Sequence, residues 1–240
     1  MGSGNTKQRV LILGGGGLGT AFAERFLDDG HEVVVADFNE VVIERFAGTK
    51  VDARVLDVTV ESEVETAANT WGAFDGVLYA VGVNSRTAIF DTDLSDWQRI
   101  LTTNLTSAFL VGRAFGKVMA KEGAGSLLFV SSVAGTIPHK NHGAYAASKS
   151  GLNQFVRVLA NELATSGVNA NLLAPGYIET DLTREHLDRP GIKENLIGLV
   201  PMGRLGTPEE LTGIALFLMS AEGKFITGQV IHVDGGRTLV

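Results

Sequence analysis

The chain is 240 residues long, 45% hydrophobic and 20% charged, with a formal net charge of −7. That length and composition fit one globular domain, and the acidic balance, with no Lys/Arg cluster longer than a dipeptide, argues against binding a nucleic-acid backbone. Cysteine is absent, which excludes disulfides, thiolate catalysis and cysteine-ligated metal centres.

The opening MGSGNTKQRV is polar and lacks the apolar core of a signal peptide, so residues 1–8 are expected to form a flexible terminus. No apolar run approaches the roughly 18 residues needed to span a bilayer, which predicts a cytoplasmic protein without a membrane partner. Short β-branched runs then recur at 9–13, 32–37, 53–58, 75–81, 126–131, 168–174 and 229–234. Several are apolar throughout rather than alternating, the pattern of strands covered on both faces in a parallel sheet. Segments with helical spacing lie between them, at 18–29, 39–46, 61–70, 96–121, 145–166 and 208–219. This alternation predicts an α/β fold, a single-domain doubly wound (Rossmann) parallel sheet of about seven strands over residues 9–240, with helices on both faces. The stretch 181–207 breaks the rhythm; it reads either as a substrate lid, centred on 181–200, or as a loose helical hairpin with no role.

The first run ends in LILGGGGLGTA. Gly14, Gly16 and Gly19 match G-x-G-x-x-G between a strand and a helix, the setting in which glycines allow a tight turn, close approach of a pyrophosphate and close helix packing. Asp37 ends the second strand 18 residues after Gly19, near the spacing of an acid that binds the ribose hydroxyls. It could also cap the helix that follows. A carboxylate there repels the extra phosphate of NADP, and no Lys or Arg lies in the loop or beside Asp37, so the predicted cofactor is NAD. Farther along, Tyr145 and Lys149 are four apart in HGAYAASKSG and share one helix face. An ammonium beside a tyrosine favours the phenolate and brings it nearer to useful acid–base range.

Tyr145-x-x-x-Lys149, with Ser132 thirteen residues upstream in LLFVSSVAG and Asn104 in TTNLTSAF, resembles the catalytic tetrad of the short-chain dehydrogenase/reductase family. The resemblance runs from 9 to 236. The family's Asp-Val pair matches Asp57-Val58, its Pro-Gly turn and threonine match Pro175-Gly176-Tyr177-Ile178-Glu179-Thr180, and its C-terminal segment matches ITGQVIHVDGG. The resemblance implies that Tyr145 exchanges the proton on the substrate oxygen and that Ser132 hydrogen-bonds that oxygen. Lys149 would hold the nicotinamide ribose and lower the tyrosine pKa, while Asn104 would support a water linking Lys149 to solvent. Asp57 and Val58 would contact the adenine, and Ile178 and Thr180 the nicotinamide half. Gly17, Leu18, Phe38, Gly82, Pro175 and Gly176 complete the expected cofactor site. Ser131 is the bland neighbour of Ser132.

Two positions depart from the family. Its Asn-Asn-Ala-Gly is Tyr79-Ala80-Val81-Gly82 here, and its Thr-Gly-x-x-x-Gly-x-Gly would put the first glycine at Leu13. Either the loop is one residue short, with Gly14 first, or it follows the commoner dinucleotide pattern. His139 and His142 stand at i, i+3, but zinc sites usually need three or more protein ligands, so no metal is expected. His142 and Tyr177 are instead candidates for the substrate pocket. Trp97, Phe109, Phe115 and Phe155 sit at helical spacings that suit core or subunit interface.

The resemblance implies an oxidoreductase that transfers hydride between NAD(H) and a small-molecule secondary alcohol or ketone, such as a polyol, sugar acid, cyclic alcohol or hydroxyacyl compound. GYIETDLT and VPMGRLGTPEEL are also close to 3-oxoacyl-acyl-carrier-protein reductases, the alternative. A carrier-protein partner would need a basic patch, and Arg86, Arg113, Lys117 and Lys121 are scattered candidates. A non-catalytic NAD-binding sensor is a second alternative, disfavoured because all four tetrad positions are filled. The family also implies a homotetramer, with helices 96–121 and 145–166 pairing across one two-fold and the VDGG region across another.

Overall fold

The structure, a computed structural model, describes residues 7–240 apart from the side chains of residues 181 and 182. Of the expected flexible terminus, residues 1–6 lie outside the described residues, whereas Gln8 is held in place. Its N–H donates to His31 Nδ1 at 3.1 Å and its amide to the Met219 carbonyl at 2.9 Å.

Seven strands form one parallel sheet: β1 (Arg9–Leu13), β2 (Glu32–Asp37), β3 (Asp52–Val55), β4 (Gly76–Tyr79), β5 (Gly125–Val130), β6 (Val168–Pro175) and β7 (Val230–Val233). Their order is β3-β2-β1-β4-β5-β6-β7. The order reverses between β1 and β4, and the crevice outside the C-terminal ends of strands at such a switch point is where doubly wound sheets bind ligands. The uniformly apolar runs are explained by a core on each face. In β1, Val10 and Ile12 enter one apolar cluster with Phe22 and Phe26, and Leu11 and Leu13 enter the other with Val111 and Phe115.

The helices are α1 (Gly17–Asp28), α2 (Glu40–Glu44), α3 (Glu61–Thr70), α4 (Leu94–Leu101), α5 (Ser107–Glu122), α6 (Gly143–Leu163), α7 (Asp181–Leu187), α8 (Ile192–Ile197) and α9 (Glu209–Met219). Three readings of the sequence are corrected. The helix expected over 96–121 is α4 and α5 joined by a π-helical turn, Thr102–Thr106, that carries Asn104. The strand expected over 53–58 ends at Val55, because Asp57 Oδ1 accepts both the N–H and the hydroxyl of Thr59 and turns the chain into α3. The stretch 181–207 is not irregular throughout: it holds α7 and α8, with its base closed by a bridge between Ile178 and Gly206.

Tyr79, where the family has asparagine, is fully buried, and burial drives its phenol strongly upward, so it stays neutral. Its hydroxyl reaches the Thr103 carbonyl at 2.8 Å and Ser107 Oγ at 2.6 Å. A phenol from β4 thus braces the π turn, and π turns inside helices frequently occur at functional sites. No helix among the described residues is long and apolar enough to cross a membrane.

Candidate active site

The glycine loop joins β1 to α1, and the backbone settles which glycine begins the turn. Leu13 is fully buried as the last residue of β1, in register with Ala36 and Tyr79. Gly14 has φ of 94°, so the turn begins there rather than at Leu13. A Cβ at Gly19 would lie 1.8 Å from the Gly14 carbonyl oxygen, whereas one at Gly16 would meet nothing within 4 Å. One glycine therefore lets the helix pack on the loop, and the other leaves open space above it. No side chain caps α1, so its first N–H groups are available to an anion.

Asp37 closes this end. Its Oδ2 accepts the Gly15 N–H at 2.8 Å and its Oδ1 the Asn39 N–H at 2.9 Å. The cap of α2 is Asn39, which accepts the Val41 N–H at 3.0 Å, so the capping role considered for Asp37 belongs to Asn39. A carboxylate has about four acceptor sites, so Asp37 keeps capacity for ribose hydroxyls.

Three adjoining spaces follow the C-terminal ends of the strands. The first is a long cleft of about 460 Å³. Gly14, Gly16, Gly17, Leu18 and Gly19 line one side of it, and Asp37, Phe38, Asp57 and Val58 one end. Gly82 and Thr180 line the cleft and also a neck of about 130 Å³, which Ser132, Tyr145, Lys149, Pro175, Gly176 and Ile178 complete. Beyond the neck, an outer cavity of about 500 Å³ shares Ser132, Tyr145, Gly176 and Ile178 and adds both His142 and Tyr177. The structure thus gathers every residue expected at the cofactor site and the substrate pocket around these three spaces, which share lining residues.

Within the neck, Ser132 Oγ accepts the Ala134 N–H at 3.1 Å, which leaves its own proton free to donate. Ser131 also borders the neck, but its hydroxyl is turned away, donating to Asn153 Oδ1. Lys149 is buried, donates to the Val130 carbonyl at 2.8 Å, and is brought down to about 8 by burial. Tyr145 is half-buried, and its phenol is not lowered, contrary to expectation. Burial raises it, and the groups that partly offset this are Ser132 and Arg86. The Lys149 ammonium is turned to the Val130 carbonyl and stands 5.9 Å from the tyrosine ring centroid. Asn104 is fully buried; its amide donates to the Val83 carbonyl and Ser148 Oγ and accepts the Val83 N–H at 2.8 Å. Its Oδ1 and Lys149 Nζ both flank Gly82, at 3.6 and 3.4 Å from where a Cβ would stand.

Further residues line these spaces: those of the cleft were not singled out from the sequence, whereas those of the outer cavity fall in 82–92, 133–142 and 177–200, the segments the sequence reading assigns to the pocket. Leu56, Thr59, Arg99 and Thr103 border the cleft, and Asn84, Arg86, His139 and Lys140 the outer cavity, with His186, Leu187, Arg189 and Leu199 from α7, α8 and their flanks. Arg86 lies 59 positions before Tyr145 in the chain, and no local pattern links them. His139 and His142 pack ring to ring at 5.8 Å, and no three potential ligands cluster as a metal site among the described residues.

A parallel sheet with a glycine loop at its switch point, and a Ser-Tyr-Lys neck beside it, defines a nicotinamide-dinucleotide-dependent oxidoreductase. The chain belongs to the short-chain dehydrogenase/reductase family. Residues 14–238 match the family model described as Enoyl-(Acyl carrier protein) reductase. Galactitol 2-dehydrogenase (L-tagatose-forming) of Cereibacter sphaeroides is 33% identical over 94% of this chain and 92% of its own length. The 3-oxoacyl-[acyl-carrier-protein] reductase FabG of Vibrio harveyi is 32% identical over 98% of this chain and all of its own. Among solved structures, a gluconate 5-dehydrogenase from Burkholderia cenocepacia, in complex with NADP and tartrate, superposes with a TM-score of 0.90. It is 32% identical, over 97% of this chain and 96% of that one.

Proposed function

We propose that the protein is an NAD-dependent dehydrogenase of a small secondary alcohol, acting on a polyol, sugar acid, cyclic alcohol or hydroxyacyl compound. The observation that carries this reading is the neck: Ser132 and Tyr145 border both the space that suits a nicotinamide and the cavity that suits a substrate. NAD, when bound, supplies the hydride acceptor. The open space over Gly16, the uncapped N-terminus of α1 and the acceptor capacity of Asp37 fit its pyrophosphate and adenine ribose. Of the three ammonium donors of Lys149, one is spent on Val130, leaving two for ribose hydroxyls. Ser132 would donate to the substrate oxygen and Tyr145 would take its proton during oxidation and return it during reduction. Helices α7 and α8 wall the outer cavity through His186, Leu187 and Leu196, and would act as the lid that excludes water.

Asp37 supports the reading of NAD over NADP. The one basic residue bordering the cleft among those described is Arg99, already paired with Asp96 at 2.6 Å. The expected result is a kcat/KM at least about tenfold higher with NAD than with NADP, since an unscreened carboxylate–phosphate contact costs more than about 1.4 kcal/mol. Asp37→Ser should narrow that ratio. A preference for NADP in the unaltered enzyme would overturn the assignment.

The FabG relatives support the second reading, reduction of a 3-oxoacyl carrier-protein thioester. Its basic docking patch finds less support: Arg113 is bound by Glu61 and Glu65, and Arg86 faces the outer cavity. Rates on 3-oxoacyl thioesters against polyols and sugar acids separate the two readings. We also propose a cytoplasmic homotetramer. Leu94 and Trp97 on α4, Phe109 on α5 and Val158 on α6 are exposed apolar side chains, whereas Phe115 is core. Light scattering should give four times the 25.4 kDa chain mass; a monomer would contradict it.

A further inference from the structure

We infer that the substrate carries an anionic group, a carboxylate or phosphate, received by the guanidinium of Arg86 a few bonds from the reacting carbinol carbon. This rests on the reading of the site as a secondary-alcohol dehydrogenase and narrows its substrate class. The first observation is charge. Acidic residues outnumber Lys and Arg in the chain, 27 to 20, yet the described residues that line the outer cavity include Arg86, Lys140 and Arg189 and no Asp or Glu. A basic pocket in an acidic protein concentrates anions at its mouth and repels cations.

The second observation is that Arg86 is unspent. Arg9, Arg99, Arg113 and Arg204 each hold a carboxylate. Arg86 has no ion pair or hydrogen bond among the described residues, while Arg189 beside the same cavity is loosely held by Glu185 at 3.6 Å. Burial, and then the like charge of Arg189, act against the Arg86 cation, a cost that a bound anion would remove. Arginine presents a planar fork matched to carboxylate and phosphate oxygens.

The third observation places the anion near the chemistry. Tyr145, His142, His139 and Tyr177 form a row of edge-on rings, with successive centroids 6.1, 5.8 and 5.9 Å apart. The Arg86 charge acts on all four. His139 is kept neutral by burial and by its cationic neighbours. Its Nδ1 faces the Tyr177 hydroxyl at 3.3 Å, and that hydroxyl in turn accepts from Arg237 Nε at 3.4 Å, so the ring row is held to the wall where the Arg86 charge acts.

The test uses the full-length enzyme with NAD and matched pairs that differ in charge: an aldonate against the alditol of equal length, and a sugar phosphate against the free sugar alcohol. The expected result is a kcat/KM about 10- to 100-fold higher for the anion, the range of charge-assisted hydrogen bonds. In Arg86→Gln that ratio should fall toward one, mainly through KM, and Arg86→Lys should restore part of it. The pair with the larger ratio tells carboxylate from phosphate. A neutral compound used as well as its anionic partner, or a ratio unchanged in a folded Arg86→Gln protein, overturns the proposal. Thermal shift with the same anions gives a readout independent of turnover. Stabilisation of the unaltered enzyme but not of Arg86→Gln, with no turnover of any compound, would sustain the anion site and reject the dehydrogenase reading. No stabilisation and no charge preference would reject the anion site itself.

Discussion

Replacing Tyr145 with phenylalanine should lower kcat by about 10²- to 10⁴-fold, the usual worth of a positioned acid–base group, in both reaction directions. Dinucleotide affinity should change little, because the hydroxyl borders the neck while the cleft is formed by the glycine loop and Asp37. Fluorescence titration with NADH alongside steady-state rates separates the two effects. Near-normal turnover in this variant would remove Tyr145 from the reaction. The pH dependence carries the same information. Oxidation needs the phenolate, and burial lifts Tyr145 above its ordinary value of 10.0, so kcat/KM for oxidation should climb as pH rises from neutrality. Lys149 titrates near 8 and loses above that pH the charge that would hold the ribose, so the climb should bend over on the alkaline side. The rising limb should vanish in Tyr145→Phe. An oxidation optimum below pH 7 in the unaltered enzyme would be incompatible with these two groups.

Substituting alanine at Gly19 and at Gly16 should have opposite signatures. At Gly19 the new Cβ would sit 1.8 Å from a backbone oxygen that no rotamer change can move. α1 must then lift off the loop, at an expected cost of about 3 kcal/mol or more, several degrees in melting temperature, together with loss of dinucleotide binding. Gly16→Ala should melt within a degree or two of the unaltered protein, since a Cβ there meets nothing. It should still lose at least about tenfold in dinucleotide affinity, because the methyl fills the approach of the pyrophosphate. Melting curves and cofactor titrations of both variants provide the check. Normal affinity in Gly16→Ala would mean that the pyrophosphate rests elsewhere.

The sheet and the Tyr145–Lys149 pair were legible for a common reason: their signals are local. Apolar runs from 9–13 and 32–37 become β1 and β2 with the bounds read from the sequence, because a strand buried on both faces has no polar positions to blur its ends. Tyr145 and Lys149 lie one helical turn apart, so a four-residue spacing alone puts them on one face. The π turn was not legible. Nothing in TTNLT distinguishes it from ordinary helix; it depends on a phenol that β4 brings from 24 positions away. The electrostatics of Tyr145 were misread for a related reason. Spacing gave the nearness of Lys149 but not that its ammonium turns to Val130, nor that Arg86 arrives through the 84–88 segment, which is tied to the start of α6 by the bridge between Thr87 and His142.

By itself, the sequence determined the parallel α/β class, the glycine loop with its acidic partner Asp37, and the shared helix face of Tyr145 and Lys149, through periodicity and fixed short spacings that the backbone converts directly into shared faces, whereas Ser132 and Asn104 were picked out by the resemblance to the family. Only the tertiary structure decided that Gly14 begins the turn, that Asn39 rather than Asp37 caps α2, that Asn104 rides on a braced π turn, and that Arg86, Lys140 and Arg189, from separate segments, converge on the outer cavity. Those features depend on backbone torsions and on contacts between residues distant in the chain, and neither is encoded in a local pattern.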